Sequence, residues 1–303
     1  MTPTPRSPSA KPRASATSAT SASAASAASA ATDATDAANA LIVPGTSRRW
    51  LRRGRRLSAR LLIVVGLLLL GPLSVLAFGG LDSVGDWRGA SRASAGIAPR
   101  PADAPEAIVQ AYAARTIGWR GAFGVHTWIA TKRPGADHYV IHHVLGWRAF
   151  RGDSAVVTQT GDPDFRWFGA TPILLADHRG AGAEAMIDQI ETAIASYPWE
   201  RWYRVWPGPN SNTFTAHIAR AVPAMRLDLP ANALGKDYLG GWRLVAPMPS
   251  GTGWQVSLFG LAGIGLAREE GIEINLLGLS AGFDFNDLAL RLPGYGSVPL
   301  RRG

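Results

Sequence analysis

The residues with the clearest capacity for chemistry are one serine and three histidines. Ser211 follows a Pro-Gly-Pro turn in WPGPNSNTF and is flanked by Asn210 and Asn212. A serine at a helix start could act as a nucleophile if a histidine takes its proton, and the free backbone N–H groups there could stabilise an oxyanion. Serine and asparagine are also favoured helix N-caps, worth about 1 kcal/mol over alanine. Both interpretations of Ser211, nucleophile and cap, are open.

The histidines lie in two stretches that predict an antiparallel hairpin around the Pro-Gly turn of KRPGAD. Pairing Lys132 with Asp137 sets His126 opposite His143, on one face and with Cβ atoms about 5 Å apart. A register shifted by one residue would substitute His142 for His143. We therefore interpret His126 as the candidate base for the serine, oriented by His143 or His142.

A binding groove is the alternative to an active site. The side chains of Asn210, Asn212 and Thr213 could hydrogen-bond a ligand, and Trp128 and Trp206 could line a groove for a glycan or a lipid. The 11 tryptophans of the chain could equally be core residues or residues of a membrane interface.

The positive charge of the chain is concentrated near its N-terminus. The net charge is +9, yet residues 1–60 hold 10 of the 31 basic residues and only 2 of the 22 acidic ones. The remaining 243 residues are therefore nearly neutral. A nucleic-acid-binding protein carries its positive charge on the folded face that meets phosphate, so we expect no nucleic-acid partner.

The sequence contains few of the residues that a cofactor site or a metal site requires. There is no cysteine, which excludes disulfides, thiolate metal sites and a cysteine nucleophile. The histidines have no acidic ligands at fixed spacing, and no phosphate-binding or dinucleotide-binding loop is present. We expect neither a cofactor nor a metal ion.

The N-terminal third predicts a membrane anchor. Residues 1–47, rich in Ala, Ser and Thr, predict a disordered tail, and residues 48–60 carry seven arginines. The apolar stretch 61–81 would reach about 31 Å as a helix, which matches the hydrocarbon core of a bilayer. The arginines predict a cytoplasmic N-terminus. A signal peptide cleaved after Ala77 is the alternative.

The rest of the chain predicts a linker at 82–104 and one globular α+β domain with a mostly antiparallel sheet at 105–300. The predicted elements are a helix at 105–115, strands at 121–132, 137–147, 155–159, 171–176 and 201–206, helices at 181–198 and 211–222, and a long hairpin formed by 252–267 and 271–284.

Four sequence blocks resemble a bacterial family known as domain of unknown function 3750. They are WPGPNSNTF, GKDYLGGW, EGIEINLLGLSAGFD and ALRLPGYG. The resemblance covers about residues 105–300 and implies no activity. With the arginine pattern it implies a single-pass protein of the bacterial inner membrane that is anchored through residues 61–81, with a cytoplasmic N-terminus and a periplasmic domain.

A second resemblance concerns the order of the candidate residues. His126, then His142 or His143, then Ser211 is similar to the order in circularly permuted papain-like proteins such as the NlpC-type amidases. That resemblance implies a permuted papain-like domain, in which a serine here replaces the family's cysteine.

Two classes of function therefore remain, so whether the chain is an enzyme is open. One is a non-catalytic, papain-like binding domain of the cell envelope with a groove at Ser211 and His126, binding peptidoglycan, lipid or an envelope protein. The other is a serine-dependent amidase, esterase or acyltransferase acting on an envelope substrate, with Ser211 as nucleophile and His126 as base.

Overall fold

The structure is a computed structural model that describes residues 44–79 and 88–300. Most of the predicted tail and the beginning of the predicted linker lie outside these residues. Residues 62–303 form one compact unit, and the residues up to 61 form another. Both β-sheets described below belong to the unit that starts at residue 62.

The first helix, α1, runs from Pro44 to Phe78. Its stretch Arg52–Phe78 is the one helix in the described part of the chain that is long and apolar enough to cross a membrane. The helix continues through Pro72. Leu62 and Leu67 are more than half exposed, as expected for side chains that face lipid.

The first sheet has five antiparallel strands in the order β4-β3-β2-β1-β5. The strands are β1 (Ile108–Arg115), β2 (Val125–Lys132), β3 (Tyr139–Val144), β4 (Val156–Gly161) and β5 (Ile173–Arg179).

Helices cover one face of this sheet. They are the short α2 (Gly146–Ala149), α3 (Ala181–Ala195) and α4 (Ser211–Ala221). The domain also has 3-10 turns at Pro101–Asp103, Gly118–Ala122 and Pro223–Met225. The main core lies between the sheet and the helices α3 and α4, and includes the buried Ile187, Ile190 and Phe214. Ile187 and Ile190 recur at helical spacing and lie on the buried side of α3, which confirms the helix predicted there.

The opposite face of the first sheet carries a second, aromatic core. Tyr112 and Trp128 of the sheet pack there against Phe165, Trp167 and Phe168 from the connection between β4 and β5. The first sheet is therefore covered on both faces.

The second sheet is a meander of seven antiparallel strands in consecutive order. The strands are β6 (Val245–Pro247), β7 (Gly253–Leu258), β8 (Ala262–Ala267), β9 (Gly271–Leu276), β10 (Leu279–Asp284), β11 (Ala289–Leu292) and β12 (Gly296–Pro299). Two antiparallel sheets with helices on the first confirm the predicted α+β class.

Three predicted elements differ in the structure. The predicted helix 105–115 is largely strand β1, which is buried on both faces and so lacks the alternation that marks a half-exposed strand. Residues 201–206 form no strand, and their large side chains are mostly exposed. The predicted long hairpin is four strands, because turns with positive φ at Gly260 and Gly278 interrupt both of its arms.

A buried ionic network covers the inner face of the second sheet. Lys236 Nζ lies 2.9 Å from Asp237 Oδ1 and 2.6 Å from Glu273 Oε2. Arg291 Nε lies 2.7 Å from Glu273 Oε1, and its Nη atoms form a bidentate pair with Asp228 at 2.6 and 2.7 Å. Burial disfavours the charge on Lys236, but the two neighbouring carboxylates outweigh burial and raise the Lys236 pKa.

Replacing Lys236 by methionine should lower the free energy of unfolding by about 3–5 kcal/mol, since Asp237 would stay buried without its ion-pair partner and Glu273 would keep only Arg291. The measurement is urea denaturation of the full chain in detergent micelles, followed by tryptophan fluorescence. The matched control is Arg133→Met, which removes the exposed ion pairs with Asp188 and Glu191 and should cost less than about 1 kcal/mol. Equal losses in both variants would contradict the network's role.

Candidate functional site

Helix α4 begins at Ser211, and its N-cap is Asn210. Asn210 Oδ1 accepts hydrogen bonds from the backbone N–H groups of Asn212 and Thr213 at 2.9 and 3.1 Å. Thr213 Oγ1 in turn accepts from the Asn210 N–H at 3.1 Å, which completes a capping box. The predicted alternative of a cap at Ser211 is therefore wrong by one residue.

The two asparagines beside Ser211 use their side-chain amides to bind the chain's own backbone. Asn210 Nδ2 donates to the carbonyls of Val205 and Leu234 at 3.0 and 2.9 Å. Asn212 Nδ2 donates to the carbonyls of Val125 and Leu234 at 3.0 and 2.8 Å. Both side chains are almost fully buried. Their polar atoms thus hold α4 against β2 and the loop at Leu234.

Ser211 itself is buried, and its Oγ makes no hydrogen bond within the described residues. The helix around it packs on one face of β2, where Thr127 Oγ1 donates to Asn212 Oδ1 at 3.0 Å and also lies 2.9 Å from Thr215 Oγ1. Thr127, and not His126, is therefore the β2 residue that points toward the start of α4.

His126 lies on the opposite face of the same strand. Its ring stacks on Trp167 with centroids 3.7 Å apart, and the Trp128 ring is 5.8 Å away. Neighbouring residues of a strand point to opposite faces, so Thr127 and His126 cannot both face α4. The structure does not bring Ser211 and His126 together, because the sheet lies between them. The predicted nucleophile–base geometry is therefore absent.

The structure does bring His126 and His143 together, with Nε2 of the first 3.3 Å from Nδ1 of the second. The register differs from the predicted one, since Ile129 pairs with His142 and not with Val140. A shift of two residues leaves every side chain on its predicted face, which is why the histidines still meet.

The third histidine, His142, lies on the α4 face of the sheet. Its two ring nitrogens lie 3.1 Å from Thr131 Oγ1 and 3.1 Å from Thr158 Oγ1. Both nitrogens are therefore used by the neighbouring strands, and His142 does not orient His126.

Burial keeps all three histidines neutral. It lowers the pKa of His142 and His143 to about 4, and it lowers the pKa of His126, which neighbouring His143 lowers further. Nε2 of His143 has no hydrogen-bond partner within the described residues. The pair is thus a neutral part of an aromatic layer.

The two tryptophans predicted to line a groove lie in different places. Trp128 is fully buried, and its Nε1 donates to the carbonyl of Pro163 at 2.7 Å, so no ligand can reach it. Trp206 is half exposed and donates to the carbonyl of Leu277 at 2.8 Å.

A cleft of about 570 Å³ lies on the other side of α4. Its walls are the end of α3, one side of α4 and the loop that leads to β6, and they include Trp199, Thr213, His217, Arg220, Tyr238 and Arg243. Thr213 is the one predicted binding residue that lines it.

The cleft is positively charged. Within the described residues, its lining contains two arginines and a histidine and no carboxylate. Arg220 is held by the carbonyls of Pro247 and Lys236 at 3.0 and 2.8 Å. Burial lowers the pKa of Arg220 to about 10, so it stays protonated at neutral pH. Burial also lowers the pKa of His217, and the nearby Arg220 and Arg243 lower it further.

The sequence does not predict the cleft, because its walls come from segments that lie far apart in the chain. Thr213, His217 and Arg220 recur at positions i, i+4 and i+7, which form one stripe on a helix. That polar stripe is the signal that could have found one wall. Arg243 and Trp199 come from separate loops, and their approach depends on the tertiary fold.

The comparisons with known proteins agree with the family resemblance. Residues 106–238 match the model of a family described as Protein of unknown function (DUF3750). This match confirms the resemblance over these residues, which include the first sheet, α3, α4 and most of the cleft lining. No curated protein and no solved structure matches the chain.

Replacing Asn210 by alanine should lower the free energy of unfolding by about 2–4 kcal/mol, because the cap is lost and buried backbone groups lose their partners. The measurement is urea denaturation of the full chain. Its neighbour gives the control, since Ser211→Ala removes no hydrogen bond and should change stability by less than about 1 kcal/mol. A larger loss in Ser211→Ala than in Asn210→Ala would overturn this reading of the motif.

The free energy of unfolding should fall as the pH drops from about 6.5 to about 4. Over this window the unfolded chain binds protons on histidines that the folded chain keeps neutral. His143→Phe should remove up to about 3 kcal/mol of this pH dependence, as measured by urea denaturation at a series of pH values. The control Ile141→Val should cost a similar amount at every pH. An unchanged pH dependence in His143→Phe would refute the assignment.

Proposed function

We propose that the chain is a membrane-anchored binding protein of the bacterial cell envelope, and that its ligand occupies the cleft beside α4. The observation that carries the proposal is the lining of that cleft, in which two arginines and a histidine lie beside two aromatic rings without any carboxylate in the described part of the lining. A volume of about 570 Å³ is typical of a site for a small molecule.

The lining favours an anionic ligand with an apolar or ring-shaped part. Arg220 and Arg243 can form charge-assisted hydrogen bonds with a phosphate or carboxylate. Trp199 and Tyr238 lie edge to face with centroids 5.6 Å apart and offer surfaces on which a sugar or another ring can pack. Anionic glycan fragments and lipid head groups of the envelope share this chemistry.

Binding is better supported than hydrolysis. The hydroxyl of Ser211 has no hydrogen-bond partner among the described residues, and the sheet separates it from His126. A serine needs a base within hydrogen-bond reach to become a nucleophile. The chemical groups of the WPGPNSNTF motif are instead used to fix α4, which forms one wall of the cleft.

The proposed orientation of the chain across the membrane follows from the charge that flanks the apolar stretch. The arginines at 48–60 precede the uncharged, apolar part of α1 that starts at residue 61, so they would stay in the cytoplasm, and the domain that follows would then face the periplasm. In this arrangement the cleft meets ligands of the inner membrane and the cell wall.

The cleft should bind phenyl phosphate, which combines one anionic group with one ring. In isothermal titration calorimetry of the full chain in lipid nanodiscs, Arg243→Ala should weaken this binding about tenfold, the effect of losing one charge-assisted hydrogen bond. The control Arg151→Ala removes an exposed arginine outside the cleft and should bind as the unaltered chain does.

Three results would contradict the proposal. One is equal binding in Arg243→Ala and in the control, and another is no saturable binding at all. The third is covalent labelling by a fluorophosphonate probe that is lost in Ser211→Ala and kept in Ser154→Ala, which would favour the serine hydrolase with His126 as its base.

A further inference from the structure

The second sheet has its polarity reversed. A half-exposed antiparallel sheet normally turns apolar residues inward and polar residues to water. Here the inward residues of β7 and β9 are Gln255, Ser257, Glu273 and Asn275, all buried. The outward residues are apolar and well exposed: Val245, Trp254, Val256, Leu258, Ile264, Leu266, Ile272 and Ile274.

The strand register joins these outward residues into one face. Val256 pairs with Ile264, and Ile264 pairs with Ile274. Trp254 pairs with Leu266, which in turn pairs with Ile272. Directly paired residues touch on the same side of a sheet, so the rows are continuous. We call the outward side of β6–β10 the apolar face.

The apolar face is large and uncharged. Four strands of six residues and the three-residue β6, about 4.8 Å apart, cover roughly 20 Å by 20 Å, or about 400 Å². A patch of this size is comparable with the largest apolar patch of a typical soluble monomer, and such patches are often functional. No Asp, Glu, Lys or Arg occupies an outward position of these strands, which excludes a partner recognised through ion pairs on this face.

The membrane-spanning helix contacts the same sheet. The turn between β11 and β12 lies against α1, where Ser74 Oγ is 2.9 Å from the hydroxyl of Tyr295. The carbonyl of Pro293 leaves no room for a side chain at Gly71, and Val75 of α1 is buried. All of these residues belong to the compact unit that starts at residue 62.

This contact between α1 and the turn after β11 sets the depth of the second sheet relative to the bilayer. Ser74 comes four residues before the end of α1 at Phe78, which is about 6 Å along a helix axis. Apolar faces of interfacial elements lie about 5–10 Å into the boundary between head groups and acyl chains. A helix that crosses the bilayer and ends at its surface therefore brings this sheet to the depth at which an apolar face is stable.

We propose that the apolar face lies on the lipid bilayer and is buried in the outer part of the leaflet into which α1 delivers the domain. This inference rests on the proposed membrane anchor. Trp254, more than half exposed within the face, and Trp242, which packs against Phe259 in the turn after β7, have the amphipathic ring that favours the membrane interface. The partner of the apolar face is therefore lipid, because the anchor helix α1 holds the domain at the bilayer.

The chain contains no cysteine, so single cysteine variants of the full chain report one position each. Spin labels are placed at Val256→Cys, Ile264→Cys and Ile274→Cys on the apolar face, at Leu67→Cys in α1 and at the exposed Asp188→Cys on α3. In lipid nanodiscs, electron paramagnetic resonance power saturation compares accessibility to oxygen, which enters lipid, and to a nickel chelate, which stays in water.

The three labels on the apolar face should be more accessible to oxygen than to the nickel chelate, as the label at Leu67→Cys should be. The label at Asp188→Cys should be more accessible to the nickel chelate than to oxygen. Face labels that match Asp188→Cys would overturn the inference while Leu67→Cys still reports lipid. Accessibility of the label at Leu67→Cys to the nickel chelate would instead contradict the proposed membrane anchor. Face labels shielded from both reagents, with spin–spin broadening, would show a second copy on this face and would also overturn the inference.

Discussion

The buried ionic network around Glu273 is the interaction on which the rest of the structure depends. Glu273 accepts from both Lys236 and Arg291, and the bidentate Arg291–Asp228 pair extends the network to the loop after α4. Charges of this kind are stable in a protein interior only when each has its partners. The second sheet must therefore turn its polar side inward, and its alternation then leaves an apolar side outward.

That constraint connects the two proposed interactions of the domain. Lys236 also accepts, through its backbone carbonyl, the hydrogen bond that holds Arg220 in the cleft wall. The same segment thus fixes the inner face of the second sheet and one of the cations of the cleft. A ligand in the cleft and a bilayer under the apolar face would both act on one connected structure, with the cleft and the lipid surface held in a constant relation.

Local patterns predicted much of the fold. The isoleucine spacing of α3 and the Pro-Gly turn between β2 and β3 are properties of neighbouring residues, and both predictions hold. Strand β1 was predicted as a helix, because a central strand covered on both faces shows no alternation to read. His126 and His143 lie in contact as predicted, although the predicted register is wrong by two residues, since a shift of two leaves each side chain on the same face of its strand.

The candidate site shows where such prediction ends. The motif around Ser211 has the residue types of an active site, yet Asn210 and Asn212 use their groups to bind backbone. Which face of β2 meets α4 is decided by the packing of the whole core, and it separates Ser211 from His126. The cleft is assembled from α3, α4 and a distant loop, so only its stripe on α4 is visible in the sequence.

The central claim, that burial of the polar side of the second sheet leaves an apolar side for lipid, has one direct test. Neutron reflectometry of the full chain in a supported bilayer measures whether protein density overlaps the head-group layer or is separated from it by water. The account predicts overlap, with no resolved water layer between the lipid and the domain. A distinct water layer, with the domain suspended beyond it on its anchor, would contradict the account.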